Sequence, residues 1–128
     1  MDASHASPRV LLIDDDIDFL EVASERLSHS GFNVVATSDV REVWKSLADG
    51  ARPLSAIVCD VQMPDESGTG LVSRIRASGS NIPVILITGH FDIDSEAARA
   101  LGVNDVMTKP FDMASLVERI EEQLRKAA

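Results

Sequence analysis

The chain has 128 residues and a net charge of −9, with 45% hydrophobic and 26% charged residues. That length suits one domain, the balance excludes a disordered chain, and the acidic surface would repel the phosphates of DNA or RNA. No apolar run nears the roughly 20 residues needed to cross a bilayer, and the single cysteine, Cys59, excludes an internal disulfide, which fits a reducing cytoplasm.

Residues 1–8 are short and polar, lack the apolar stretch of a signal peptide, and read as a flexible tail. Val10 to Ile13 is wholly apolar, the pattern of a strand covered on both faces. Phe19, Leu20, Ala23 and Leu27 then recur at helical spacing until Gly31 stops the helix. Phe32 to Thr37 reads as a second strand. Val40, Val43, Trp44 and Leu47 mark a second helix, with Asp39 expected as N-cap, Glu42 completing a capping box, and Trp44 in the core. Ala56 to Cys59 is a third strand. Leu71, Val72 and Ile75 mark a third helix.

Pro83 to Ile87 is the clearest buried strand. Ile93, Ala97, Ala100 and Leu101 form a small-residue helix ended by Gly102. Asp105 to Thr108 is a weaker fifth strand. Met113, Leu116, Val117, Ile120 and Leu124 form a strongly amphipathic last helix, with Asp112 as N-cap. Five strand–helix units with apolar strands predict an α/β fold with a parallel sheet between two helical layers.

In such sheets ligands bind beyond the carboxyl ends of the strands. The polar residues there are Asp14, Asp15 and Asp16 after strand one, Asp60 after strand three, Thr88-Gly89 after strand four, and Lys109 after strand five. Singly each is ordinary: an aspartate caps a helix, a threonine caps, a lysine is solvated. Together they are not, because adjacent carboxylates repel unless a cation joins them. Hard oxygen ligands with no His or Cys at metal-ligand spacing favour Mg²⁺ over zinc. Lysine and hydroxyl suit phosphoryl oxygens, and Gly89 leaves its backbone open to close approach. These are the parts of a phosphoryl-transfer site.

The runs Val10-Leu-Leu-Ile-Asp-Asp-Asp16, Val58-Cys-Asp-Val-Gln-Met-Pro-Asp-Glu-Ser-Gly68, Ile87-Thr-Gly89 and Thr108-Lys-Pro-Phe111 resemble the motifs of response-regulator receiver domains, in the family's order. Ile87-Thr-Gly-His90 is more weakly similar to FixJ-type receivers. The resemblance implies a flavodoxin-like, CheY-like doubly wound (βα)5 fold with strand order 2-1-3-4-5 over residues 9–126, and no output domain in this chain.

It further implies that Asp60 accepts a phosphoryl group from a sensor histidine kinase or a histidine phosphotransfer protein. Asp15 would ligate Mg²⁺ directly, Asp14 largely through water, and the Gln62 carbonyl would complete the set with Asp60. Thr88, Lys109 and the residues Val61 and Gly89 would contact the phosphoryl group. Gln62 and His90 would tune its lifetime, and the Lys109–Pro110 peptide would be cis. Such a module switches; it does not turn over a metabolite. One departure concerns signalling: relatives place an aromatic three residues before the lysine, where this chain has Val106. Signalling is still expected through the fourth helix, fifth strand and fifth helix, with Phe91 or a helix shift replacing the swinging aromatic. The same face could carry a phosphorylation-dependent homodimer; neither nucleic acid nor membrane is an expected partner of the domain.

The main alternative is a phosphorylation-independent interaction module. A haloacid-dehalogenase-type phosphatase wants an acid where Gln62 stands. Three aspartates after strand one would repel a flavin phosphate, and no P-loop motif occurs.

Overall fold

The computed structural model describes residues 7–63, 67–89 and 94–127. The apolar runs form β1 (Arg9–Ile13), β2 (Asn33–Thr37), β3 (Ala56–Asp60), β4 (Val84–Thr88) and β5 (Asp105–Thr108). Between and after them lie α1 (Ile17–His29), α2 (Arg41–Ala48), α3 (Gly68–Ala77), α4 (Ser95–Ala100) and α5 (Met113–Ala127). All four pairings are parallel, and the sheet order is β2-β1-β3-β4-β5, as the resemblance implied.

Pleating divides the apolar strand residues between two cores. Val10, Leu12, Val58, Ile85 and Ile87 meet Leu20, Ala23 and Leu27 of α1 and Leu116 and Ile120 of α5. Leu11, Ile13, Ile57, Cys59 and Leu86 meet Val43 of α2, Leu71, Val72 and Ile75 of α3, and Ala98 of α4. A strand buried on both faces needs no polar alternation, so β1, β3 and β4 contain continuous apolar runs, with polar residues only at their ends. β2 lies at the sheet edge, and its Asn33 and Ala36 are exposed.

The helix ends follow from local chemistry. Asp16 accepts from the Phe19 amide at 3.1 Å, and Asp112, the cap expected for the last helix, from that of Ser115 at 2.8 Å. α1, α3 and α4 each close with a glycine in the left-handed region, at Gly31, Gly79 and Gly102. In α1 the Phe32 amide reaches back to Leu27 O at 3.1 Å, and both side chains are buried.

Three expectations are corrected. α2 has no capping box. Asp39 lies one residue before the N-cap, and its carboxylate takes the Arg41 amide at 2.9 Å and the Arg41 guanidinium instead. Its own amide donates to Thr37 Oγ1 rather than to Glu42. Trp44 is half-buried at the margin of the core, with the Arg74 guanidinium 4.9 Å from its ring centroid. In α4 the buried residue is Ala98, while Ala97, Ala100 and Leu101 face solvent. The physical reason lies at its end: the Val103 amide bonds Ala98 O at 3.1 Å, so the closing turn packs Val103 beside Ala98 and sets the inward face one residue later. Ile93, expected to open this helix, lies outside the described residues.

Candidate functional site

Parallel strands carry all their carboxyl ends to one edge, and register fixes which residues become neighbours there. Ile13 pairs with Cys59, Asp60 with Ile87, and Thr88 with Thr108. Asp14, Asp60, Thr88 and Lys109 therefore lie on adjacent strand ends despite their separation in sequence.

Carboxylate oxygens of Asp14, Asp15 and Asp60 all lie within 4.8 Å of one another. Asp14 is 1% exposed, Asp60 is half-buried and Asp15 faces solvent. Asp14 is held from both sides: its Oδ1 accepts the Asp16 amide at 2.9 Å, and its Oδ2 accepts from Lys109 Nζ at 3.0 Å. Asp60 Oδ1 accepts the Gln62 amide at 3.0 Å. The Lys109 amide donates to Thr88 O at 2.7 Å, tying the ends of β4 and β5 together, and the Lys109–Pro110 peptide is cis.

The electrostatics are unbalanced. Among the described residues three carboxylates face one nearby lysine, an excess of negative charge when all are ionised. Burial first, and then the neighbouring Asp14, push the Asp60 carboxyl up to about 6 against the lowering effects of the Gln62 amide and Lys109. A hard divalent cation relieves that excess, and an all-oxygen donor set suits Mg²⁺. The residues present fit such an ion.

Other expected site residues take different places. Thr88 is 3% exposed and pleats to the same face as Leu86, and Val106 pairs with Leu86 on that face. Val106 is half-buried there, packed toward the core beneath α3 and α4. Gly89 is exposed, with open space around the position of a Cβ. The Val61 amide donates to Ile87 O at 2.9 Å, and its carbonyl accepts the Gly68 amide at 2.7 Å. Gln62 is exposed. His90 and Phe91 lie outside the described residues.

Two contributors were not singled out in the sequence. A Cβ on Gly68 would stand 2.6 Å from Asp60 O and 2.9 Å from Val61 Cα, so only glycine lets the start of α3 pack against the end of β3. A glycine opening a helix, where Ser67 already supplies the cap, was the available signal. The second is Phe19, whose ring lies 4.2 Å from Lys109 Nζ. Its helical spacing marked it only as core.

Residues 10–121 match the family model described as response regulator receiver domain. The chain is 37% identical to the transcriptional regulatory protein PrrA of Mycobacterium tuberculosis over 98% of its own length and 54% of that protein's. It is 34% identical to the CpxR homolog of Haemophilus influenzae over 94% of its length and 52% of the relative's. The chain thus spans about half the length of these curated relatives. Among solved structures it is similar to full-length FixJ from B. japonicum, with a TM-score of 0.83 and 32% identity, over 94% of this chain and 59% of that one. It is also similar to the beryllofluoride-activated NtrC4 receiver domain dimer, with a TM-score of 0.85 and 27% identity, over 94% and 98% of the two chains.

Proposed function

This chain belongs to the response regulator receiver domain family of two-component signalling, and from that premise we propose that Asp60 is its phosphoacceptor and Mg²⁺ its cofactor. The observation that carries the reading is the cluster of three carboxylates, from β1 and β3, with the Lys109 ammonium bound to one of them. Asp14, Asp15 and Asp60, with the Gln62 carbonyl, are the groups to hold the ion, which when bound supplies countercharge to phosphoryl oxygens.

The chemistry is a transfer between two nucleophiles. A carboxylate oxygen of Asp60 attacks the phosphorus of a phosphohistidine on a sensor kinase or phosphotransfer protein. A P–O bond forms, the P–N bond breaks, and the imidazole nitrogen leaves with the electron pair. Lys109 neutralises charge on the transferred group, and the Thr88 hydroxyl donates to one of its oxygens. Gly89 offers an approachable backbone; a contact from the Val61 amide would displace its bond to Ile87 O. In a separate hydrolysis step water attacks the phosphorus, the P–O bond to Asp60 breaks, inorganic phosphate departs, and the Asp60 carboxylate returns. Gln62 and His90 are assigned to the path of that water.

The receiver unit is assigned to residues 9–126, with the tail outside it. The chain is a signalling protein rather than a metabolic enzyme. Among the described residues no helix is long and apolar enough to cross a membrane, and we place the module in the cytoplasm, where its kinase would present phosphohistidine.

The test is labelling with acetyl phosphate and Mg²⁺, mapped by mass spectrometry after borohydride trapping. Label is expected on Asp60 and lost in Asp60→Asn, while Lys109→Ala uncouples labelling from its structural consequence. Undiminished label in Asp60→Asn would move the phosphoacceptor elsewhere. A wild-type protein that takes no label would favour the phosphorylation-independent module.

A further inference from the structure

We propose that Phe19 is a positioning residue of this site, holding the Lys109 ammonium in place through its ring face. The proposal rests on the reading of Asp60 as phosphoacceptor. A rim lysine on a four-carbon stem has many rotamers that lead into water. Lys109 takes one that does not: Nζ lies 3.0 Å from Asp14 Oδ2 and 4.2 Å from the Phe19 ring centroid. The negative face of an aromatic ring attracts an ammonium at that distance.

The ring is itself held. Phe111, two residues beyond Lys109, meets it in a T-shaped contact at 6.1 Å and 83°. The Phe19 amide donates to Asp16 Oδ1 at 3.1 Å, and the Asp16 amide donates to Asp14 Oδ1 at 2.9 Å. The contacts close a circuit from Asp14 through Asp16 and Phe19 to Lys109 and back to Asp14. Phe19 thus comes from the first turn of α1, fixed by the cap that the acidic run itself supplies.

The circuit matters because its two anchors respond differently to phosphorylation. Asp14 holds Lys109 by charge, and that hold weakens once its carboxylate is shared with other cationic partners. The ring's quadrupole does not change with the charge at the site. Phe19 keeps the ammonium over the rim while Nζ exchanges Asp14 for a phosphoryl oxygen on Asp60. Losing the ring face, with the apolar packing retained, should slow transfer about fivefold, the factor that ~1 kcal/mol of cation–π attraction gives at 1.4 kcal/mol per decade.

The experiment compares wild type, Phe19→Leu and Phe19→Tyr, each with Lys109 intact or as Lys109→Ala, by rate of Asp60 labelling from acetyl phosphate at saturating Mg²⁺. Leucine should slow labelling about fivefold, and tyrosine, which keeps the ring face, should restore it to within twofold. In Lys109→Ala the leucine substitution should have no further effect. The Lys109 Cε protons should show an upfield ring-current shift by NMR that leucine removes and tyrosine keeps. Equal rates for phenylalanine and leucine, or the same leucine penalty with and without Lys109, would overturn the proposal while leaving Asp60 as phosphoacceptor. Wild type free of label on Asp60 would sink both.

Discussion

A carboxyl group is costly to ionise where water is partly excluded and another carboxylate is close, and Asp60 meets both conditions. The sign of the consequence for stability follows. With its carboxyl at about 6 in the fold against an ordinary 3.8, the folded state binds more protons than the unfolded one between those values. Without divalent metal, stability should therefore fall as pH rises from about 4 to 6 and stay lower above. Asp60→Asn keeps the acceptor for the Gln62 amide and removes the charge. At pH 7 it should be more stable than wild type by about 1 kcal/mol, a value reduced for the water that still reaches the group. Urea unfolding at pH 4 and pH 7 checks it; equal stability of variant and wild type at pH 7 would count against the strain. The role proposed for Gln62 belongs to the same scale and concerns a different quantity. Its substitution should change the acyl-phosphate half-life several-fold with less effect on Mg²⁺ affinity, read by the decay of labelled protein.

Elements meet the site through close packing, and α3 does so at Gly68. In an exposed helix, alanine in place of glycine stabilises by up to ~1 kcal/mol. Here the new methyl would press on Asp60 O and Val61 Cα, backbone atoms that cannot rotate away. Overpacking of this kind costs about 1–3 kcal/mol, so the clash wins. Gly68→Ala should lower the melting temperature and also weaken Mg²⁺ binding, because relief requires β3 or α3 to shift beside Asp60. Ser67→Ala removes the acceptor for the Gly70 amide at 3.1 Å. It should cost about 1 kcal/mol with Mg²⁺ binding little changed. A melting series with and without Mg²⁺ separates the two; identical metal responses would show that the α3 contact does not position Asp60.

Over the whole molecule, binding at one edge of the sheet couples to global stability by mass action. At a hundredfold excess of Mg²⁺ over its dissociation constant the fold should gain about 2.7 kcal/mol, which raises the melting temperature by on the order of 10 °C for a domain this size. No rise, with no NMR shifts at Asp14, Asp15 or Asp60, would refute a metal site. The switch is a question at the same scale. Thr88 and Val106 share a sheet face that leads to α4, and Arg119 Nη1 binds both oxygens of Asp105 at 2.8 Å, tying α5 to β5. A perturbation at Thr88 therefore has packed neighbours through which to reach the α4-β5-α5 face. Beryllofluoride with Mg²⁺ should shift amides along that face, and sedimentation would show whether the face then joins two copies. Shifts confined to Asp14, Asp60 and Lys109 would exclude it as the output.

What the chain determined by itself was what depends on local order. Apolar runs without alternation define strands buried on both faces, helical spacing in α1 and α5 defines their inward stripes, and Asp16 and Asp112 cap as their positions require. Four motifs at strand ends sufficed for the family, and a parallel sheet, which must bring all its carboxyl ends together, placed Asp14, Asp15 and Asp60 side by side. Spacing failed where one specific contact chose among equivalents. The inward face of α4 was set by Val103 closing on Ala98, and Asp39 turned from the expected capping box to Arg41. Gly68 looked like any helix-opening glycine until β3 came within 2.6 Å of where its Cβ would be, and Phe19 looked like core until Lys109 reached its ring from the far end of the chain. A contact between residues as distant in sequence as Phe19 and Lys109 leaves no periodic trace along the chain; the register of the sheet decides it.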